Sequence, residues 1–237
     1  MSIFLKANWE NIVMVNYEIS EEILSKYLAK GVSIDLYDGK AYVSLVGFMF
    51  KNTRIFNVPI FKLGTFEEIN LRFYVSRKVG NETRRGVIFI NETVPYKAVA
   101  WLANALYKEH YTTIPTRHHW DFTKEQKDIK YEWLVNKKWN SITLSAMKEK
   151  KIMEKNSFEN FIFEHYYGYT KYNNTTTQEY QIAHPSWLIN EIIDYKIDCD
   201  FETMYGKDFA ILDKTKPASI FLAEGSAIEI NWKRHKI

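Results

Sequence analysis

Regular alternation of polar and apolar residues over residues 68–75 constrains the fold of this chain most strongly. Successive side chains of a β-strand point to opposite faces of a sheet, so this segment predicts a strand with two chemically different faces. The apolar face consists of Ile69, Leu71, Phe73 and Val75, and the polar face of Glu68, Asn70, Arg72 and Tyr74. An apolar face packs against a core, whereas a polar face either meets solvent or, inside a closed barrel, lines a ligand cavity. Both interpretations of the polar face remain open from the residues alone.

Strands joined by tight turns are predicted along most of the chain. They fall at residues 11–19, 34–36, 41–50, 67–77 and 84–91, in three pieces within 117–147, and over most of 167–232. Asp38–Gly39 predicts a hairpin between its two flanking strands, because this dipeptide adopts the positive φ angles of a two-residue turn. Gly80–Asn81 predicts a second antiparallel hairpin, which contains the alternating segment.

Three short helices are predicted between the strands. Ser20 caps the first, because its side-chain oxygen accepts from a free backbone N–H at the helix start. Pro95 fits the first turn of the second, where its missing N–H costs nothing, and this helix is predicted to end near Tyr111. The third begins at Asn156, which forms a capping-box pattern with Glu159.

These elements together predict an α+β fold that is mainly antiparallel β, with a curved sheet or barrel and a few short helices. A closed sheet hides the strand edges that would otherwise pair with other chains. An aromatic content of 16% within 46% hydrophobic residues is enough to fill a sizeable core. Because neither an internal repeat nor a linker divides the sequence, residues 1–237 are predicted to form a single domain.

Charge, cysteine content and motifs argue against several function classes. The 32 Lys+Arg against 29 Asp+Glu leave a net charge of only +3, so nucleic-acid binding is not predicted. The longest apolar-leaning stretch, residues 41–50, is half of the roughly 20 residues that a membrane helix needs, and no secretory signal is present at the N-terminus. We therefore predict no membrane association and a cytoplasmic location. One cysteine, Cys199, excludes an intrachain disulfide, and no metal or cofactor is predicted because no ligand spacing or nucleotide motif occurs.

A colinear series of short segments resembles the YqjF-like family of uncharacterised proteins within the acetoacetate decarboxylase-like superfamily. The segments are Trp9 to Asn11; Gly31-Val32-x-Ile34-Asp35-x-x-Asp38-Gly39 with Val43 to Phe48; Glu68-x-Asn70-x-Arg72-x-Tyr74-Val75; Gly86-Val87-x-Phe89; Tyr111-x-x-x-Pro115; Glu164-x-Tyr166; and His184-Pro185-x-Trp187. The resemblance covers most of the chain. It implies a β-rich, barrel-like fold around a pocket, and it brings no known reaction from the nearer family.

The resemblance also implies where this sequence departs from the superfamily's enzyme. In that enzyme a lysine, placed just after a Gly-Phe-Pro turn, forms a Schiff base with the ketone substrate. The corresponding residues here are Ile114-Pro115-Thr116-Arg117. A threonine has no amine, and an arginine stays protonated, so neither side chain attacks a carbonyl group. Acetoacetate decarboxylation through a Schiff base is therefore not predicted.

The polar face of the alternating strand supplies the candidate site. Arg72 is predicted to bind a carboxylate or phosphate through its planar guanidinium, and Glu68 to orient it or transfer a proton, with Asn70 and Tyr74 beside them. Arg117 is a second cationic candidate. The alternative for the strand is a solvated face with one cross-strand ion pair.

One further candidate comes from the segment His184-Pro185-x-Trp187. His184 is a candidate general base because histidine titrates near neutral pH, or else a ring hydrogen-bonded to the backbone at a strand end.

Two functions remain open at this point. The first is the binding of a small acidic or carbonyl metabolite in a β-barrel cavity, with general acid/base work if the protein is an enzyme. The second is a non-catalytic module that holds a hydrophobic ligand or forms homo-oligomers through its surface. A cavity below about 100 Å³ would count against both binding hypotheses.

Overall fold

The computed structural model describes residues 3–232 and 235–237, and β-strands dominate them. The strands are β1 (Ile3–Ile19), β2 (Ser33–Ile34), β3 (Ala41–Ile55), β4 (Val58–Pro59), β5 (Phe66–Val79), β6 (Glu82–Val94), β7 (Tyr111–Thr113), β8 (Thr116–Phe122), β9 (Gln126–Val135), β10 (Lys138–Ile152), β11 (Tyr167–Lys171), β12 (Thr177–Ala183), β13 (Leu188–Asp198), β14 (Ser219–Asn231) and β15 (His235–Lys236). The helices are α1 (Glu21–Ser25), α2 (Lys97–Tyr107), α3 (Phe158–Phe163) and α4 (Phe201–Tyr205), followed by a 3₁₀ helix at Lys207–Lys214.

Seven strands close into a ring. They follow the order β12-β11-β6-β5-β3-β1-β14, and β14 pairs in turn with β12. All neighbours are antiparallel except β11 and β6, which run parallel. The prediction of a mainly antiparallel curved sheet or barrel with few short helices is confirmed.

The remaining long strands form an arm that packs on the outside of this ring. From β14 the sheet continues through β13, β10 and β9 to β8. A Cβ atom added at Gly47 of β3 would lie 3.0 Å from the ring of Tyr131 on β9, so the arm lies directly against the ring wall. Trp133 and Tyr131 of β9 are completely buried there, among outward-facing side chains of β1, β3 and β5. The molecule therefore has one core between ring and arm and another inside the ring.

The predicted hairpin around Asp38–Gly39 is wrong in its pairing. A tight turn does form, because Tyr37 and Lys40 are bridged and both turn residues have positive φ angles. However, β2 pairs with β5, where Ile34 lies opposite Val75, whereas β3 pairs with β1 and β5. The hairpin predicted at Gly80–Asn81 is present as β5 and β6.

The first helix starts as predicted, and the second and third start two residues and one residue later than predicted. Ser20 caps α1 as predicted and accepts a hydrogen bond from the Glu22 N–H at 3.2 Å. The second helix starts at Lys97, two residues after Pro95, and ends at Tyr107. In the third, Ser157 rather than Asn156 is the capping residue and accepts from the Asn160 N–H at 3.2 Å. The predicted strand content of residues 167–232 missed α4 and the 3₁₀ helix.

Within the described residues, no helix has both the length and the apolar composition that crossing a membrane requires.

Candidate functional site

The polar face of β5 points into the ring. Glu68, Asn70 and Tyr74 are at most 3% exposed, and Arg72 is half-buried. The alternate residues of the strand, including Leu71 and Phe73, pack in the core between ring and arm. Both faces of this strand are thus covered, and its polar side chains meet each other inside the ring rather than in solvent.

A cavity with two connected chambers lies inside the ring. The outer chamber has a volume of about 170 Å³ and lies under α2 and the segment 53–63. The inner chamber has a volume of about 50 Å³ and reaches Asn70 and Arg72. Six side chains line both chambers, and we call the place where they lie the junction. They are Phe50, Glu68, Glu92, Tyr111, Tyr180 and Ile230.

Three buried glutamates line the cavity, two of them at the junction and Glu109 in the outer chamber. Glu68 accepts a hydrogen bond from the Tyr111 hydroxyl at 3.0 Å and from the Asn70 amide at 3.0 Å. Glu92 lies on β6 opposite Asn70. Glu109 follows α2 and accepts from the hydroxyls of Thr170 and Tyr180, at 2.6 and 2.7 Å.

Burial changes the protonation of this cluster. Loss of water raises the pKa of Glu68 and that of Glu109 to about 7, although their hydrogen bonds work in the opposite direction. Burial, together with repulsion from the other two carboxylates, raises the pKa of Glu92 well above its usual range. Since a group with a pKa near the working pH both donates and accepts protons, Glu68 and Glu109 suit general acid/base chemistry.

Arg72 is a cation without an acidic partner. Its Nη2 donates to the Met14 sulfur at 3.5 Å, and its guanidinium carbon lies 6.0 Å from the centroid of the Tyr74 ring. Within the described residues it makes no ion pair, and its buried Nε has no hydrogen-bond partner. Asn70 Oδ1 and Glu92 Oε2 are likewise buried without a partner, and all three residues line the inner chamber.

Tyr74 belongs to the wall of the ring rather than to the cavity. Its hydroxyl shares a hydrogen bond of 2.6 Å with Ser44, which donates to Asn16 at 2.6 Å. The Tyr74 ring packs at 4.8 Å from the ring of His165. Tyr74 lines neither chamber, and the Arg72 guanidinium lies between its ring and the inner chamber wall that Arg72 forms.

The structure does not bring Arg117 to the cavity. Its side chain is 54% exposed and donates to both carboxylate oxygens of Glu132, at 2.8 and 3.1 Å. Its guanidinium lies 3.9 Å above the Trp139 ring. Arg117 therefore lies on the outer face of the arm.

His184 also lines neither chamber. Its Nδ1–H donates to the carbonyl oxygen of Pro185 at 2.8 Å, and its ring stacks on Trp187 with a centroid distance of 4.0 Å. Burial lowers its pKa. Trp187 itself lines the inner chamber, so His184 stands one side chain behind the cavity wall.

The position where the family resemblance implies a lysine holds no amine. Thr116 donates to Glu67 at 2.7 Å, and Glu67 lies on the opposite face of β5 from the cavity glutamates. Among the residues for which side chains are described, no lysine lines either chamber.

Sequence reasoning missed four residues of the cavity, which are Glu92, Glu109, Tyr111 and Tyr180. A bulge explains the first of them. Arg72 pairs with Phe89 whereas Leu71 pairs with Asn91, so Ile90 is an extra residue in β6. Because an extra residue reverses which side chains point inward, Glu92 enters the ring where simple alternation would place Asn91.

Comparison with known proteins places the chain in a family. A family model described as an uncharacterized conserved protein, DUF2071, matches residues 6–227. The uncharacterized protein YqjF of Bacillus subtilis (strain 168) is 22% identical over 191 residues, covering 78% of this chain and 74% of YqjF. The resemblance predicted from the short segments is therefore confirmed.

Solved structures with the same fold are acetoacetate decarboxylase-like. Acetoacetate decarboxylase from Legionella pneumophila subsp. pneumophila str. Philadelphia 1 superposes with a TM-score of 0.64 at 6% identity, covering 99% of this chain and 87% of that chain. An acetoacetate decarboxylase-like enzyme from Sphingomonas wittichii RW1 gives 0.65 at 10% identity, over 100% and 94%. The enduracididine biosynthesis enzyme MppR complexed with pyruvate gives 0.63 at 8%, over 100% and 91%. At these identities the likeness is one of fold.

Proposed function

We propose, on the premise that the chain belongs to the DUF2071 family, that this protein binds a small organic acid or carbonyl compound inside its ring of strands. An oxygen atom of the ligand accepts a hydrogen bond from the Arg72 guanidinium, and Asn70 and Glu92 lie beside it in the inner chamber. The structural neighbour MppR, which is complexed with pyruvate, supports a compound of this class.

The observation that carries the proposal is the Arg72 guanidinium, which has no acidic partner among the described residues and whose buried Nε has no hydrogen-bond acceptor. A charge taken out of water is costly unless it is paired and hydrogen-bonded. Glu68 and Glu92 lie in the same cavity, yet Arg72 makes no ion pair with any described residue, and its Nε has no hydrogen-bond acceptor. A ligand carboxylate or carbonyl would supply the acceptor that Nε lacks, and it would form a charge-assisted hydrogen bond there.

Proton transfer is the chemistry that these residues support. Glu68 lies at the junction of the chambers, and its pKa of about 7 lets it act as an acid or a base near neutral pH. A Schiff base requires an amine, which the described cavity residues do not supply. If the protein turns its ligand over, we therefore propose Glu68 as the proton-transfer group and Arg72 as the group that holds the ligand.

A second candidate function is the storage or carriage of a purely apolar ligand, which the apolar wall of the outer chamber favours. Against it, Arg72 Nε, Asn70 Oδ1 and Glu92 Oε2 would each stay without a hydrogen-bond partner when such a ligand is bound. An unpaired buried polar group costs about 1–3 kcal/mol, so the polar inner chamber favours the acid or carbonyl compound.

Replacing Arg72 tests the proposal. Arg72→Met keeps the side-chain volume and removes the charge, so the fold should survive with stability at least equal to wild type. Thermal-shift and calorimetric titrations with lactate, pyruvate, phenyllactate and hydrocinnamate should detect binding to wild type. We expect the variant to bind at least about tenfold more weakly, since a charge-assisted hydrogen bond is lost.

Arg117→Met is the matched control, because it removes an equally charged side chain that lies outside the cavity. Its affinity for each acid should equal that of wild type. Absence of binding to wild type by all four acids, or equal affinities of wild type and Arg72→Met, would refute the proposed function.

A further inference from the structure

We propose that the ligand is a 2-hydroxy acid with an apolar side chain of about one ring, placed with its carboxylate in the inner chamber and its side chain in the outer one. This inference rests on the proposed function and narrows its ligand class. It follows from the different sizes and linings of the two chambers and from the polar atoms that lack a partner.

The outer chamber fits an apolar group and no charge. Beyond the junction its wall consists almost entirely of hydrocarbon, including Phe4, Phe66, Leu102 and Ala103. Its volume of about 170 Å³ compares with an engineered apolar cavity of about 150 Å³ that binds benzene. A phenyl ring or a branched chain of similar size therefore fills this chamber.

The inner chamber fits a carboxylate and the carbon next to it. Its volume of about 50 Å³ is too small for a ring. Arg72 offers the donor Nε to a carboxylate, whereas the unpartnered oxygen of Asn70 accepts a hydrogen bond and so requires a donor on the ligand. A hydroxyl on the carbon next to the carboxylate supplies that donor within the same chamber.

The chamber junction fixes which ligand atoms meet the glutamates. Glu68, Glu92 and Tyr111 line both chambers, so they flank the part of the ligand that joins carboxylate and side chain. A hydroxyl both donates and accepts, which satisfies Asn70 Oδ1 and the Glu92 carboxyl group together. An ammonium group would only donate, so it satisfies the Asn70 oxygen but cannot accept from a protonated Glu92.

Three acids test the contributions of the hydroxyl and of the ring to binding separately. Phenyllactate has the carboxylate, the hydroxyl and the ring; hydrocinnamate lacks the hydroxyl, and lactate lacks the ring. We expect calorimetry on the full chain to show phenyllactate binding tightest, with about tenfold losses for hydrocinnamate from the unpaired buried groups and for lactate from the unburied ring. In the variant Asn70→Ala the preference for phenyllactate over hydrocinnamate should shrink, because only the contact of the hydroxyl with Glu92 remains.

A filled outer chamber gives the second arm of the test. Ala103→Phe places a ring into this chamber from α2, so phenyllactate should lose affinity while lactate binds as to wild type. Ala105→Phe, on the exposed face of the same helix, is the control and should leave both affinities unchanged.

The outcomes distinguish the two proposals. If lactate binds as tightly as phenyllactate, or Ala103→Phe leaves phenyllactate unaffected, the ligand class is wrong while binding on Arg72 stands. If hydrocinnamate matches phenyllactate on wild type, the hydroxyl assignment is wrong. If Arg72→Met binds all three acids like wild type, the proposed function fails as well.

Discussion

The double variant Glu68→Gln, Glu109→Gln is expected to gain stability over wild type as the pH rises. Between about pH 4 and about pH 8 its free energy of unfolding, relative to that of wild type, should rise by at least about 6 kcal/mol, about 3 from each carboxyl group, because removing both charges also lowers the pKa of Glu92 in the variant. Urea unfolding of both proteins without ligand, at each pH, measures this difference.

The sign follows from the direction of the two shifts. Burial raises the pKa of each carboxyl group from 4.5 to about 7 in the folded protein, so between these values the folded chain keeps protons that the unfolded chain has released. Their stabilising contribution is therefore complete below about pH 4.5 and lost as the pH rises through 7. His165 works in the opposite direction, because burial lowers its pKa to about 4. Taking the difference between variant and wild type cancels its effect.

Glu191→Gln provides the control, since this glutamate is exposed on β13. Its stability should follow that of wild type at every pH. A difference between the double variant and wild type that stays constant with pH would contradict the prediction. It would mean that the two carboxyl groups titrate as if solvated, and hence that the cavity is not dry.

Gly168→Ala is expected to destabilise the protein by about 4 kcal/mol, from steric overlap and from a displaced buried hydrogen bond. Gly168 on β11 lies opposite Tyr180 on β12, and an added Cβ would overlap the Tyr180 ring at Cζ. Moving the Tyr180 ring aside costs free energy, because the ring is buried and its hydroxyl donates to Glu109 at 2.7 Å. Its ring also lines both chambers, so the variant should lose acid binding. Urea unfolding and calorimetry measure the two effects.

A double-variant cycle identifies the cause. Tyr180→Ala removes the ring that the new methyl group meets, so adding Gly168→Ala in that background should cost less than about 1 kcal/mol. Equal costs in both backgrounds would place the strain in the backbone of β11, away from the contact with Tyr180.

Local patterns were enough to predict those parts of the fold that local contacts determine. The hairpin of β5 and β6 needs only alternating strands and a turn at Gly80–Asn81, and it is present. The pairing of Ile34 with Val75 joins residues far apart in the chain, and no local pattern indicates it. The turn at Asp38–Gly39 was correctly placed, yet a turn alone does not determine which strand its neighbour joins.

The candidate site is likewise predicted where local patterns determine it and missed where the tertiary fold determines it. Alternation placed Glu68, Asn70 and Arg72 on one face, and the ring of strands turned that face inward. Glu92 was not predicted because the bulge at Ile90 reverses which side chains of β6 point inward. Glu109 was not predicted because it lies in a loop after α2, where no periodicity applies. Arg117 follows Pro115 in the sequence, but its strand belongs to the arm, and only the tertiary fold reveals this.

The ring of strands is held unevenly around its circumference. The hairpin of β11 and β12 joins β6 through only the pairs Tyr167 with Gly86 and Gly168 with Val87, and it joins β14 through only two more. Elsewhere neighbouring ring strands pair along most of their length. Local opening with the smallest free energy is therefore expected at this hairpin. An opening at this hairpin would separate Tyr180 from Glu109 and expose the buried glutamates to water, while the other ring strands stay paired.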